Sequence, residues 1–591
     1  MTRRRFRLGR LYVRLRRIIR NDQLTLSILG FVVGAAAGGA IIGFREAIGL
    51  IQTVFFTTGS ERLYLYVQDL PWWRVLLAPA AGGLIVGLLV RHFMPSQRPQ
   101  AVADVIEAAA LRGGRMSAKN GLVAALISAV SLGVGASAGR EGPAVHLGAT
   151  FGGWLAGRLE LTRSNSRTLL GCGVAAAVAA SFNAPIAGAL FATEVVVGHY
   201  ALRAFAPIVI ASVTGTVISR VYFGDFPAFT LVHSGITSVW EYPAFLGLGV
   251  ASAITAIAFM RSVGLAATVA ERSRLPVWLR PAAAGLAVGA LAIAFPQVLG
   301  VGYGATEAAL KVVFPFWLLV ALLFAKVAAT AVCLGFRFGG GVFSPSLVIG
   351  AMLGGAYGFA ISALMPTLSS GPGAYTIVGM GAVAAAVLGA PISTTLIIFE
   401  MTGDYALTMA VMLAVVVASV ITQNFYGQSF FAKQLERRGY DLKEGFESAL
   451  LRARDVSQVM ARDSGVVRPE TDLPTVRATL QASAAGQLFV VDEAGHLFGT
   501  ITLADLSEAA FDHAVDTLIN AGDVARLTPS TLTAGDDLET ALKLFRDTGE
   551  PHIAVVEDAD TLVYLGCVHE RDVMNAYNQA LVESRREERG D

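Results

Sequence analysis

The chain has 591 residues, of which 54% are apolar and only 15% charged, with 63 glycines; that balance excludes an ordinary soluble globular protein. The formal charge of +2 conceals a split: from Asp455 onward 10 Lys/Arg stand against 25 Asp/Glu, and before it 36 stand against 19. The chain therefore changes solvent near residue 454, from lipid to water.

In chain order, residues 1–20 carry nine arginines and no acid, then run directly into an apolar segment from Leu24. This reads as a basic arm kept on the cytoplasmic side, not as a nucleic-acid-binding arm. The segment behind it is too long, and too poor in a small-residue cleavage pattern, for a secretory signal. Apolar spans follow at 24–57, 74–94, 121–135, 144–157, 168–198, 205–222, 241–271, 281–297, 316–335, 346–364, 374–400 and 405–424. Several fall short of the roughly 20 residues that cross a bilayer. Short apolar pieces punctuated by Gly and Pro predict broken helices, tolerated only where their ends are buried in protein or line a polar cavity. Small residues such as Gly34–Gly39 allow close helix packing, and Trp72, Trp73 and Trp317 fit interface anchors. The three cysteines, Cys172, Cys333 and Cys567, form no disulfide or metal spacing and read as packing.

One stretch occurs twice. Gly139-Arg140-Glu141-Gly142-Pro143 begins a run with glycines nine, thirteen and fourteen residues after Gly139, and Gly341-Val342-Phe343-Ser344-Pro345 begins a second run with the same spacing. Each is a glycine-bearing loop whose proline suits the first turn of a helix, where its missing N–H costs nothing. Such helix starts offer unpaired N–H groups and the positive end of the macrodipole, which suit an anion. Two further echoes keep the order: Pro185 to Glu194 matches Pro391 to Glu400, nine residues each, and Glu107–Leu111 weakly matches Glu307–Leu310. These predict two structural halves, about 24–222 and 241–438, by analogy inverted with the substrate site between them.

An ionisable group inside an apolar region is a functional candidate by default. Glu141, two residues before Pro143, can place its carboxylate on the helix end that would hold an anion. It then competes with the anion, and protonation removes the competitor; the plain alternative is a glutamate that caps its helix. Arg140 is expected to brace the loop. Glu194 and Glu400 are expected to cap or pair with backbone, Lys326 and Arg337 to snorkel or brace loops, and His146, on the following helix, to pack.

With these residues in view, the chain resembles the CLC family of chloride channels and proton-coupled chloride transporters over residues 20–438. The resemblance implies an all-α membrane domain of about eighteen helices in two inverted repeats, and a homodimer with one pore per subunit. It implies that Glu141 is the gate and that backbone around Gly139, Arg140, Glu141, Gly142, Pro143, Gly341, Val342, Phe343, Ser344 and Pro345 forms the anion site. Three positions depart from the family pattern. Gln100 falls where a serine serves the central anion, Phe431 falls where a tyrosine does, and Val195 falls where coupled exchangers often carry an internal glutamate for the proton. Glutamine can still donate hydrogen bonds; phenylalanine can only shape the pore. The expectation is passive or weakly proton-coupled transport of chloride or a similar monovalent anion. The alternatives are a two-anion, one-proton exchanger of this family and, from another class, a sodium-coupled organic solute symporter. No enzymatic constellation occurs in the spans.

The acidic tail is also duplicated. Asp455-Val456 opens one unit and Asp523-Val524 the other; Phe489–Asp492 and Ile553–Val556 read as buried strands, followed by Gly499–Asp505 and Gly566–Asp572. A helix starting near each aspartate offers N–H groups to phosphate. The tail resembles a pair of cystathionine-β-synthase (CBS) domains of α/β class. On that pattern Thr500, Thr502, Asp505, His569 and Asp572 are candidates for an adenine nucleotide, with His569 replacing the usual Ser/Thr; a purely structural role is the alternative. No required cofactor and no metal site is expected. The expected layout is a basic arm 1–20, a membrane transport domain 21–440, a linker 441–454, tandem CBS domains 455–580 and a tail 581–591, in the inner membrane with both termini cytoplasmic and no nucleic-acid partner.

Overall fold

A computed structural model of the chain describes residues 22–198, 202–225, 235–440, 451, 454–462, 465–483, 486–506, 516 and 518–589. The basic arm 1–20, all but two residues of the 441–454 linker (451 and 454), and the last two residues lie outside the described residues. The chain divides into two units, Met1–Gly439 and Tyr440–Asp591.

Eighteen α-helices are described in the first unit: α1 (Asp22–Phe56), α2 (Leu63–Val67), α3 (Trp72–Phe93), α4 (Val102–Leu111), α5 (Ala118–Gly133), α6 (Glu141–Arg158), α7 (Arg163–Phe182), α8 (Pro185–Phe191), α9 (Leu202–Phe223), α10 (Tyr242–Arg272), α11 (Arg280–Ala294), α12 (Tyr303–Leu310), α13 (Phe316–Gly335), α14 (Phe343–Leu364), α15 (Pro372–Leu388), α16 (Pro391–Thr402), α17 (Tyr405–Tyr426) and α18 (Phe430–Glu436). Among the described residues, eight helical stretches are long and apolar enough to cross a membrane. Two expected spans are each two helices. The 168–198 span breaks at Asn183, in the left-handed region at φ 59°, with Pro185 opening α8. The 374–400 span breaks at Gly389, φ 68°, with Pro391 opening α16. A left-handed cap followed by proline stops one helix and starts the next. The short helices α2, α4, α12 and α18 were not among the expected spans, because ten or fewer residues give too little apolar periodicity to stand out.

The repeat is visible in how the helices touch. Gly148 and Gly152 of α6 lie so close to α7 that an added Cβ would sit 2.3 Å from the Gly173 carbonyl oxygen and 2.2 Å from that of Leu169. Gly350 and Gly354 of α14 face α15 in the same way, at 2.3 Å from the Gly379 oxygen and 2.1 Å from that of Tyr375. The spaced glycines thus serve backbone-to-backbone helix crossings, once per repeat.

Two reciprocal contacts join the repeats. Gly139 N–H donates to Gly341 O at 2.7 Å and Gly341 N–H donates to Gly139 O at 2.8 Å. Glu194 accepts from the N–H groups of Ile392 and Ser393 at 3.0 and 2.8 Å, while Glu400 accepts from Ile186 and Ala187 at 3.0 and 2.7 Å. Each glutamate caps the short helix of the opposite repeat. Equivalent residues exchanging equivalent bonds are what a two-fold relation between halves requires.

The second unit holds two three-stranded sheets: β1 (Val466–Val467), β2 (Gln487–Val491) and β3 (Leu497–Thr502), then β4 (Thr531–Thr533), β5 (His552–Val556) and β6 (Tyr564–His569). In each, the first pair is parallel and the second antiparallel, with a bulge at Val490/Val491 and at Val555/Val556. Helices α19 (Leu473–Ala482), α20 (Ala521–Val524), α21 (Leu538–Thr548) and α22 (Glu570–Arg589) accompany them. The opening segments are exchanged. Val456 donates to Asp536 O and is buried among Leu532, Phe545 and Ile553 of the second sheet's core, whereas Val524 packs on the first sheet's core and Arg526 pairs with Thr500. Asp455 and Asp523 open the two units in sequence as expected, and each opening segment packs on the core of the other copy.

Replacing Gly350 or Gly148 by Ala is expected to cost about 1–3 kcal/mol through overpacking. This is read as a lower thermal midpoint in detergent, with Gly39→Ala, whose added carbon would meet nothing within 4 Å, unchanged.

Candidate functional site

Helices α6 and α14 begin at the paired glycines. Gly142 and Gly341 approach so closely that a Cβ on Gly142 would lie 2.9 Å from the Gly341 Cα; any side chain there would push the two helix starts apart. The first N–H groups of a helix have no partner within it, and here two such ends meet on one cavity of about 30 Å³. Its lining includes Glu141, Gly142, Val342 and Phe343 from the helix starts, Ala101 and Val102 at the start of α4, and Phe430, Phe431 and Gln434 of α18. On that scale the cavity has room for one small ion or a pair of waters. Phe343 is seated by Phe182 and Phe191, with ring centroids 4.8 and 6.0 Å away.

Glu141 is 1% exposed. Its carboxylate accepts a hydrogen bond from Tyr303 OH at 2.6 Å and another from Ser344 Oγ, and Arg140 Nε lies 3.5 Å away. Arg140 pairs with Glu61, and Glu61 pairs with Arg45 at 2.9 Å. Arg45, Glu61, Arg140 and Tyr303 line a second, larger cavity of about 280 Å³ with Arg62, Asn183, Arg220 and Glu307. The Glu141 carboxylate therefore stands between a small cavity it lines itself and a larger one lined by the groups that hold it. Arg140 braces the loop as expected, through Glu61.

Of the other candidate residues, Phe431 lies on the small cavity, but Gln100 is not among its lining residues. Position 100 precedes α4, and the backbone turns so that Ala101 and Val102 face the space. Gln434, one helical turn after Phe431, supplies an amide on that wall instead. The i, i+3 spacing was the available signal. The wall is pinned by ions: Arg438, at the end of α18, meets Asp104 at 3.2 Å and Glu107 at 3.4 Å on α4, and Asp104 also pairs with Arg98 at 2.7 Å. Val195, in the irregular helical segment Ala192–Val197, is not among the lining residues. Lys326 is buried and donates to Val298 O and Gly300 O, both at 2.9 Å, and Arg337 donates to Gln97 O at 2.8 Å, so both brace loops. Because α6 starts at Glu141 itself, His146 shares that helix.

In the tail, Asp505 accepts from Thr502 N–H at 2.9 Å and Oγ1 at 2.7 Å and pairs with Arg526 at 3.0 Å. Burial works to raise its pKa, but the Thr502 and Arg526 contacts outweigh it and hold the carboxyl below the usual range. Residues 507–515, where a helix after Asp505 was expected, lie outside the described residues. In the second copy α22 does begin at Glu570, with Asp572 in its first turn. Thr500 is on β3 and 3% exposed. His569 faces His552 across β5 and β6, ring centroids 4.2 Å apart. Burial, then the neighbouring His569, pushes His552 down to about 4. Among the described residues no cluster of His, Cys, Asp or Glu is arranged to hold a metal ion.

Residues 82–423 match the family model described as voltage gated chloride channel, and residues 456–512 and 521–579 each match that of the CBS domain. A protein of Ralstonia nicotianae, named as a ClcB-like chloride channel protein, is 38% identical over 423 residues, which is 70% of this chain and 97% of that protein. Two solved structures share the fold. One is a slow cyanobacterial Cl⁻/H⁺ antiporter with a TM-score of 0.63 at 24% identity, covering 70% of this chain and 97% of its own. The other is a eukaryotic CLC transporter with a TM-score of 0.61 at 19% identity, covering 93% of this chain and 98% of its own.

His552 resists protonation in the folded tail and accepts it freely when unfolded. Its contribution to stability is therefore complete above pH 6.5 and lost as pH falls from there toward about 4. Urea unfolding of residues 440–591 is expected to show a falling midpoint over that window, and His552→Phe is expected to flatten it.

Proposed function

From the premise that the chain belongs to the voltage-gated chloride channel family, and is a multi-pass membrane protein with a CBS pair, we propose that it carries chloride or a similar monovalent anion through a pore gated by Glu141. The observation that carries this reading is the meeting of two helix N-termini, one from each repeat, on a cavity the size of a small ion with one carboxylate at its edge. Dipolar N–H groups in a dry site suit a single negative charge, either the carboxylate or the ion. Protonation of Glu141 removes the competing negative charge from the edge of the cavity, and the anion is admitted.

Transport is proposed as passive or weakly proton-coupled, because Val195 offers no second proton acceptor where exchangers often have one. The anion would meet the helix-start amides of α6 and α14, the aromatic wall of Phe343 and Phe431, and the Gln434 amide. In this reading 21–440 is the transport domain and 441–454 the linker to a regulatory pair at 455–580. Both termini are cytoplasmic in the inner membrane, and the protein works as a homodimer with one pore in each subunit. The CBS pair is proposed to bind an adenine nucleotide near Thr500, Thr502 and Asp505, where a charged arginine already sits, more readily than at His569 and Asp572, where two imidazoles occupy the equivalent edge.

In proteoliposomes, chloride efflux is expected to rise as pH falls, and Glu141→Gln to raise efflux at neutral pH and abolish the pH dependence. Steep uphill proton movement driven by a chloride gradient would instead establish tight exchange. Calorimetry of the 440–591 unit with ATP, ADP and AMP is expected to give heat that Asp505→Ala removes; no heat and no thermal shift would assign the pair a structural role.

A further inference from the structure

We propose that Tyr303 is a positioning residue of the gate: its phenol hydroxyl holds the Glu141 carboxylate seated, so that Tyr303 sets the pH at which the pore opens. The inference rests on the reading of Glu141 as the gate. Its starting point is where the hydroxyl groups are. The family pattern places two side-chain hydroxyls on the central anion, and this chain has Gln100 and Phe431 at those positions. Two hydroxyls are present close by, but both are trained on the carboxylate: Tyr303 OH donates to Glu141 Oε1 at 2.6 Å, Ser344 Oγ donates to Oε2, and the two hydroxyl oxygens are 3.5 Å apart.

The phenol is held in place from behind. Tyr303 is the first residue of α12, preceded by Gly302 at φ 93°, and a Cβ on Gly302 would sit 2.9 Å from Val348 and 3.3 Å from Lys326 Nζ. Lys326 in turn fixes the approach by donating to Val298 O and Gly300 O. The guanidinium of Arg140 lies 4.8 Å from the centre of the Tyr303 ring. A buried lysine, a left-handed backbone position that favours glycine, and a cation against the ring together aim one hydroxyl at one carboxylate oxygen.

The consequence follows from the chemistry of that bond. A hydroxyl donating to a carboxylate stabilises its ionised form and weakens when the carboxylate is protonated. The other charged groups set around Glu141 are Arg140 beside it and, behind Arg140, Glu61 and Arg45; from α14 the facing group is the neutral Ser344. The arginines and the hydroxyls act in the same direction, and only the hydroxyls can be removed without disturbing the ion-pair chain. Tyr303 also lines the larger cavity while Glu141 lines the smaller, so the phenol is the group that solvent in the larger cavity meets before it meets the gate.

The test is anion efflux from proteoliposomes between about pH 5 and 8 for wild type, Tyr303→Phe, Ser344→Ala, Glu141→Gln and Tyr303→Phe combined with Glu141→Gln. Phenylalanine keeps the ring against Arg140 and removes only the donor. Losing a hydrogen bond to a charged group releases the gate by about tenfold, so the pH of half-maximal efflux should move up by about one unit in Tyr303→Phe. Ser344→Ala should shift it in the same direction, and Tyr303→Phe should change nothing once Glu141 is glutamine. Efflux with an unmoved pH profile in both hydroxyl variants, or the same effect of Tyr303→Phe in the Glu141→Gln background, would overturn the assignment while leaving anion transport intact. No anion efflux from wild type would overturn the transport reading and this one with it.

Discussion

Everything in the membrane unit depends on two glycines that pair with each other. Gly139 and Gly341 exchange both backbone hydrogen bonds, and that bridge brings the starts of α6 and α14 to a single point. A side chain at Gly142 or Gly341 would need space that the opposite backbone occupies. The bridge also consumes two N–H groups and two carbonyls that an apolar interior could not leave unpaired. What remains uncommitted by helix geometry is the next few N–H groups of each helix, pointing into a shared cavity. The candidate site is thus the remainder of a pairing problem: what the two loops do not satisfy between themselves is left at the shared cavity.

The same logic governs the other broken helices. A helix that ends inside a bilayer must find partners for its terminal N–H groups within the protein. At α8 and α16 those partners are carboxylates from the opposite repeat, Glu400 and Glu194. Neither half can complete its own short helix, so the duplication is chemically interlocked. In the tail the interlocking is done by whole segments. Val456 belongs to the second sheet's core and Val524 to the first, so each CBS copy depends on the chain that precedes the other.

Much of this was legible in the chain because spacing survives where identity does not. Glycine at the same intervals after Gly139 and Gly341, and glutamate nine residues after Pro185 and Pro391, mark geometric requirements that few residues meet. The paired breaks at Asn183 and Gly389 were hidden inside long apolar runs, since hydropathy does not register a left-handed turn. Side-chain direction was the other blind spot. An ungapped count puts Gln100 at the cavity, but the backbone entering α4 presents Ala101 and Val102, and the amide comes from Gln434 on a helix more than three hundred residues away. Tyr303 could not be found from sequence at all. Its importance lies in a 2.6 Å contact with a residue 162 positions earlier, and no local pattern encodes that. The exchange of opening segments in the tail was invisible for the same reason: a strand's own sequence does not say which copy it completes.

Both hydroxyls described at the site act on the carboxylate, and that bears on the proposed balance between carboxylate and anion. A cavity of about 30 Å³ lies at the helix starts with the carboxylate at its edge, and in the proposed reading the anion and the ionised carboxylate exclude each other there. Taking hydroxyls off the anion weakens one competitor; placing hydroxyls on the carboxylate strengthens the other. With Glu141 as the proposed gate, both would push the resting equilibrium toward a closed state, and both act without altering the backbone that makes the site. On that proposal a chain built this way would need a stronger opening stimulus, lower pH or a larger driving force on the anion, than one with the hydroxyls on the other side of the same balance. In the same proposal selectivity would fall to the backbone amides and the Gln434 amide on the cavity wall, whose donors recognise charge and size before shape.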